Sequence, residues 1–252
     1  FNYLLSDEFE FKASKIETTN NNNKIKGTGG VEVNDKKDLI ITGQQFEYNK
    51  LNSILVVNDN VVIKDSLNNN LIKTEKIIFN KISNIINTAN KTIIELDSGY
   101  LIESSSLIYD RNLNIITSDN KTFVTDPYEN KLTMRAFQYS TINRMLSAQD
   151  VEIIDIEKNY YNIKNIKYDF RNNEIIGQDL SLEFNSGNIK TDQNQPRLKG
   201  NTIFYKKDTT QVKQGVFTTC KKDDDCPPWV LSASKIEHNK TLKKKIFIVE
   251  KK

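Results

Sequence analysis

A chain of 252 residues is long enough for one large domain or two ordinary ones. Charged residues make up 27% and hydrophobic ones 37%, with a mean hydropathy of −0.58, so no segment is apolar enough to cross a membrane as a helix. The net charge of +3, spread over scattered basic residues, makes no case for nucleic acid, and a single histidine leaves little material for metal or acid–base sites. The polarity is high for a globule and suits an elongated repeat protein with little interior per residue. The chain opens on Phe1 rather than Met, which reads as a processed chain or a fragment.

One stretch returns about every thirty residues. In Ile41-Thr42-Gly43-Gln44-Gln45-Phe46-Glu47-Tyr48-Asn49-Lys50 the aromatic Tyr48 is followed by Phe79, Tyr109, Tyr139 and Tyr168, at steps of 31, 30, 30 and 29. A fixed period of this size marks a repeat architecture. Seven residues before the aromatic stand Phe11, Ile41, Ile72, Ile102, Leu132, Tyr161, Leu198 and Leu231. Two residues before it stand Ile16, Phe46, Ile77, Leu107, Phe137, Ile166, Ile203 and Ile236. All are apolar, a coincidence with a chance on the order of 10⁻⁷ at this composition. The outermost units carry Thr18 and His238 in place of the aromatic, as terminal repeats often do. The step from Tyr168 to Tyr205 is 37 residues, which implies a loop insertion.

Five residues before the aromatic the unit often has a small residue: Ala13, Gly43, Thr74, Ser104, Gly200 and Ala233. Positions −7 and −5 share one parity of a strand, and −2 and 0 the other. A bulge or bend between them is expected, turning all four toward one interior. A turn signal follows the aromatic (Asn49-Lys50, Asn80-Lys81, Asp110-Arg111, Asp169-Phe170), since Asn and Asp hydrogen-bond their own backbone. Apolar residues resume six positions on, at Ile54, Ile85, Ile115 and Met145. Each unit is expected to hold two or three short strands, and nothing shows a helical period. The fold class is all-β, built from about eight such repeats. For any single stripe residue the plain reading is hydrophobic core.

The seventh unit leads into Phe217-Thr218-Thr219-Cys220, the acidic Asp223-Asp224-Asp225, then Cys226-Pro227-Pro228-Trp229 and Ser232-Ala233-Ser234-Lys235-Ile236-Glu237-His238. This segment resembles the LptD family of outer-membrane lipopolysaccharide-assembly proteins, where the periplasmic domain gives way to the barrel. The preceding repeats are similar to the OstA-type β-jellyroll shared by LptA, LptC and the periplasmic part of LptD. The resemblance implies an elongated, open-edged jellyroll (a β-taco) over residues 1–214, and a cysteine-containing last repeat over 215–252 leading to an absent barrel. The array is longer than usual for that family.

The resemblance also implies a non-catalytic lipopolysaccharide carrier at the periplasmic face of the outer membrane. It would receive lipid from an LptA-type bridge by edge-strand pairing, with an LptE-type lipoprotein reached through the barrel, and no cofactor or metal. Lipid acyl chains would lie on an apolar stripe of Ile41, Phe46, Tyr48, Ile72, Ile77, Phe79, Ile102, Leu107, Tyr109, Leu132, Phe137, Tyr139, Ile166 and Tyr168. Cys220 matches the family cysteine that bonds to the barrel; Cys226 either closes a local loop with it or pairs elsewhere. A zinc site would lack the usual four ligands, and Trp229 is expected to pack over the loop. A free LptA/LptC-type bridge and a structural β-solenoid or adhesin segment are the alternatives. A carbohydrate-active β-helix would need acidic residues stacked at equivalent positions, and no such ladder is evident in the sequence.

Overall fold

The computed structural model describes residues 1–6, 8–185, 195–206, 209–220, 229–239 and 244–248. All regular structure among them is β, and the pairing is antiparallel. Two compact units divide the chain, one of residues 1–124 with 140–142, the other of residues 125–139 with 143–252.

The first unit runs from β1 (Asn2–Leu5) through β2 (Glu10–Thr19), β3 (Lys24–Asn34), β4 (Leu39–Asn49), β5 (Ile54–Asp65), β6 (Asn70–Asn80) and β7 (Ile85–Glu95). Each pairs with the next in sequence. The strands then shorten to β8 (Leu101–Ser104), β9 (Ile108–Asp110), β10 (Ile115–Ser118) and β11 (Thr122–Thr125). β7 holds both halves of this broken hairpin, β8 at its C-terminal end and β9 at its N-terminal end. The second unit contains β12 (Lys131–Met134), β13 (Ala136–Ser140), β14 (Met145–Ile154), β15 (Tyr160–Asp169), β16 (Glu174–Glu183), β17 (Arg197–Lys206), β18 (Thr209–Thr218), β19 (Leu231–Asn239) and β20 (Lys244–Ile248). From β14 onward its strands again pair in sequence order. The expected boundary at 214–215 falls inside β18.

Most repeats are thus one hairpin of two long strands, and only the middle ones, β8 to β13, are broken into the short strands expected. The short runs seen in the sequence are halves of strands bent in the middle. In β4 the burial alternates through Leu39, Ile41 and Gly43, passes two exposed residues, and resumes on the same side at Phe46 and Tyr48. The ladder to β5 shifts register between Thr42 and Gln45, the one to β6 between Asn58 and Val61. The expected bend is therefore present, and the four repeat positions share one interior at Ile72, Thr74, Ile77 and Phe79 and at Leu132, Met134, Phe137 and Tyr139 as well.

The bend is made on the partner strand of each hairpin. Gly29 and Gly30 (φ 80° and 81°), Asp59 and Asn60 (67° and 53°), Asn90 (64°), Asp150 (49°), Asp179 (55°) and Gln214 (50°) recur at it in left-handed geometry. Gly, Asn and Asp reach that region at least cost. The small residue at −5 has its own cause. A Cβ on Gly43 would come within 2.6 Å of Val57, and one on Gly200 within 2.2 Å of Val212. Where the residue is Thr74 or Ser104, its hydroxyl joins buried ladders, Thr74 to Thr92 at 2.9 Å, Thr92 to Thr88 at 2.8 Å and Ser104 to Ser118 at 2.9 Å.

The turns after the aromatic form the expected Asx geometry: Leu51 N donates to Asn49 Oδ1 at 3.0 Å and Asn112 N to Asp110 Oδ1 at 2.9 Å. A second set of bonds stacks the turns. Lys50 N donates to Asn23 O (2.9 Å), Lys81 N to Ser53 O (2.9 Å) and Arg111 N to Asn84 O (3.1 Å). The inward apolar residue after each turn is one place later than the resumed runs implied, at Leu55, Ile86, Ile116 and Leu146. At the first, degenerate repeat Thr18 is exposed and Ile16 half-buried.

A β-branched residue cannot hold left-handed geometry cheaply. Asn90→Val should cost about 1–3 kcal/mol in urea unfolding, while Asn90→Gly should leave the midpoint unchanged or slightly raised. Equal loss in both variants would show that the Asn90 side chain, not its φ angle, matters.

Candidate functional site

The bent strands bring the two kinds of turn face to face across the interior, and side chains bridge the gap. In the first unit that bridge is continuous. The Tyr48 hydroxyl donates to Glu8, and Ser53 Oγ donates to the same carboxylate at 3.0 Å. Arg111 reaches Asp35 at 2.7 Å and also pairs with Asp38, while Lys81 lies 3.3 Å from Asp35. Tyr109 donates to Asp65 at 2.7 Å. Beneath the bridge Phe9 meets Tyr48 edge-on at 5.2 Å, Phe11 stacks on Phe46 at 4.6 Å, and Lys81 and Arg111 sit over Phe79 at 5.4 and 5.8 Å.

Burial alone would raise the Asp35 carboxyl, but the Leu39 amide and the charges of Arg111 and Lys81 outweigh it and hold the group below its ordinary value. Burial would lower Arg111, and Asp35 with Asp38 raise it instead. Lys81, a turn residue by sequence, is turned in and largely covered. Burial, then the charge of Asp65, pushes the Tyr109 phenol up, so it stays a neutral donor.

All fourteen predicted stripe residues are buried, none more than 5% exposed. In the first unit they pack against the protein's own side chains. The second unit differs. There a cavity of about 120 Å³ lies under the mouth, with two of the predicted residues, Leu132 and Tyr168, in its wall. Ile163 and Ile203 complete an apolar floor, and Ile153, Tyr161, Ile175 and Tyr205 are only half-buried beside it. Ile175 takes the position of the fully buried Leu55 and Ile86. Asp126, Asn130 and Asp155 stand on one rim, Asn173 and Thr210 on the other.

The rim polar groups are fixed within the chain. Asp126 accepts from Asn130 Nδ2 at 2.6 Å, and Asp155 from Asn159 Nδ2 at 2.8 Å and the Tyr161 hydroxyl at 3.0 Å. Tyr168 donates to Asn173 Oδ1 at 2.7 Å. Burial, with the negative charges of Asp155 and Glu157, pushes the Tyr161 phenol up.

An acidic ladder does exist, contrary to the sequence reading: Asp35, Asp65, Asp126 and Asp155 open equivalent turns at steps of 30, 61 and 29. Its carboxylates cap turn amides, as Asp35 does for Leu39 at 3.0 Å and Asp155 for Asn159 at 2.8 Å. What changes along the chain is the position two beyond the aromatic. It reads Lys50, Lys81 and Arg111, then Thr141 and Phe170, and returns to lysine at Lys207, which lies outside the described residues. Phe170 instead lies against Tyr168 at 4.5 Å and Tyr139 at 5.8 Å.

At the cysteine segment, Cys220 is buried, with Sγ 3.7 Å from the Trp229 carbonyl, which Thr218 Oγ1 also reaches at 2.8 Å. Trp229 is half exposed, its ring 6.1 Å from Phe217. Cys226, and with it any pairing, lies outside the described residues. No protein-family model matches the chain, and none of the curated proteins matches it in sequence.

Removing one member of a buried ion pair strands the other, so Asp35→Ala should cost about 3–5 kcal/mol in urea unfolding at neutral pH. The lowered carboxyl contributes stability that is fully present above the unfolded value of about 3.9 and is lost as pH falls through the folded value. The gap between the natural chain and Asp35→Asn should therefore close in acid; a gap that widens there would contradict the sign.

Proposed function

We propose that this chain carries the acyl chains of lipopolysaccharide, as the periplasmic, OstA-type β-jellyroll domain of an outer-membrane lipopolysaccharide-assembly protein of the LptD kind. The observation that carries the reading is the interior of each unit: equivalent apolar side chains line it, covered by ion pairs in the first unit and beside a cavity in the second. Such a lining holds a chain by burial, each methylene being worth about 0.8 kcal/mol. Equivalent positions keep that affinity even, so that cargo is not trapped at one point. The resemblance of the repeats, and of the Thr218-Thr219-Cys220 to Trp229 segment, supports the same assignment.

Under this reading the protein is a conduit and not an enzyme. An LptA-type bridge would deliver lipid through an exposed strand edge, and the chain would act at the periplasmic face of the outer membrane beside a barrel holding an LptE-type lipoprotein. Edge strand β1, with Phe1, Tyr3 and Leu5 facing out, is one edge for such pairing. A structural β-solenoid is the second reading, favoured by the closed packing of the first unit.

The cavity, and not the buried Phe46 and Phe79, offers room for a guest. Photo-crosslinkers at Ile163 and Ile203 should capture lipopolysaccharide, and one at the outward Lys167 should not. Capture only from Lys167 would sink the conduit reading. Ile175→Phe, which fills the cavity, should abolish capture while leaving unfolding within about 1 kcal/mol of the natural chain.

A further inference from the structure

Ile54, Ile85 and Ile115 resume each apolar run after a turn, yet the side chains that enter the interior are Leu55, Ile86 and Ile116. The first three therefore stand half-buried on the outer face of the sheet. Strand register puts them on one line: Ile54 opposite Asn80, Asn80 opposite Ile85, and Asp110 between Ile85 and Ile115. A second line, two residues away, holds Val56 opposite Ile78 and Ile108 opposite Asn87, with Ile78 and Ile108 exposed.

The turns joining these strands extend the same band. Leu51, Ile82, Leu113 and Ile142 stand at the tips of four successive turns, each between 51% and 77% exposed, and all belong to the first unit. Backbone bonds stack those turns, Lys81 N to Ser53 O at 2.9 Å, Arg111 N to Asn84 O at 3.1 Å and Thr141 N to Asn114 O at 2.9 Å. The tips thus form a row. The opposite row of turns in the same unit presents Lys36, Lys37, Asp38 and Asp97 beside one aliphatic residue, Leu67. The outer face on that side carries ion pairs, Lys73 with Glu95 at 2.5 Å and Lys91 with Glu103 at 2.9 Å. One edge of the unit is charged, and the other is aliphatic.

Three features fit the aliphatic edge to lipid. Amides of its turns are satisfied within the chain, Leu51 N by Asn49 Oδ1 at 3.0 Å, Ser83 N by Asn80 Oδ1 at 3.1 Å and Leu113 N by Asp110 Oδ1 at 3.0 Å. Such turns can leave water without stranding those donors. Lys81 and Arg111, which would charge the row, are turned inward onto Asp35. At the end of the band Lys24 and Lys26 share the one carboxylate of Glu47, at 3.1 and 3.0 Å, beside the self-paired Lys15 and Glu17. Lys50 is exposed next to them on the tip row. The band is therefore apolar along its length and basic at its end, which matches acyl chains beneath anionic head groups. Protein partners are held mostly through tryptophan, tyrosine and arginine, whereas this edge presents leucine, isoleucine and valine.

We propose that this edge of the first unit docks on the surface of a lipid bilayer, its four aliphatic turn tips entering the head-group boundary and its lysines facing lipid phosphates. The docking goes beyond the conduit reading and does not depend on it, because the band lies on the outer face and not in the interior.

The test is co-sedimentation of the intact chain with phosphatidylcholine vesicles, with and without about one part in four of phosphatidylglycerol. The chain should partition onto both, and more tightly onto the anionic ones. Ile82→Asn and Leu113→Asn should each weaken partitioning about fivefold, since each withdraws one inserted aliphatic side chain. Leu67→Asn makes the same change on the opposite row and should leave partitioning as it was. All three positions are exposed, so unchanged urea midpoints report that the variants are folded. Absence of partitioning, weaker partitioning onto the anionic vesicles, no loss in either tip variant, or equal loss in Leu67→Asn overturns the lipid assignment. Self-association without vesicles that Ile82→Asn weakens would make the band a contact between copies, and overturns it too. None of these outcomes bears on capture of lipopolysaccharide at Ile163 and Ile203, so the two readings fail separately.

Discussion

Each long strand in this protein has to reverse, halfway along, which side of its pleat faces inward. Side chains of a strand alternate strictly, so a straight strand would send Ile41 and Gly43 to one face and Phe46 and Tyr48 to the other. The left-handed residues on the partner strand, Asp59 and Asn60 for this hairpin, insert the irregularity that restores a single interior. Everything else follows from that reversal. It doubles the apolar lining each hairpin supplies, and it folds the ribbon so that its two rows of turns confront one another. The small residues at −5 answer the crowding on the inside of the bend.

Once the turns face each other, what stands on them decides whether the interior is shut. In the first unit aspartate faces lysine and arginine, and the aliphatic parts of Lys81 and Arg111 cover aromatic rings while their charges meet Asp35. Such a pair is expensive to desolvate, so it sets a geometry more than it adds stability. In the second unit Asp126 and Asp155 persist, and Phe170 stands where Lys81 and Arg111 stood. Phe170 has turned to its aromatic neighbours, and space remains beneath the rim. One backbone plan thereby accompanies a packed core in one unit and a cavity in the other.

The period, the all-β class and the inward set at −7, −5, −2 and 0 were legible because they depend on local alternation repeated many times. The need for a bend was legible too, since parity demanded it. Its location on the partner strand was not, because Asp59, Asn90 and Asp179 look like ordinary polar residues until register is known. Lys81 read as a turn residue on the surface; its inward position depends on Asp35, 46 residues away. The same holds for Tyr161 and Asp155, whose turn becomes a cavity rim only through the strands opposite. Long-range pairing of polar groups leaves little trace in one sequence, whereas repeated apolar spacing leaves a strong one.

The two units share strand pairing and repeat positions, and only the second has a cavity among the described residues. Isoleucine δ-methyl resonances of the intact chain, followed while hexyl glucoside is added, measure this directly. Shifts should concentrate at Ile153, Ile163, Ile175 and Ile203, with Ile25, Ile63, Ile72 and Ile94 unmoved. Comparable shifts in both sets, or shifts confined to the second, would contradict the account.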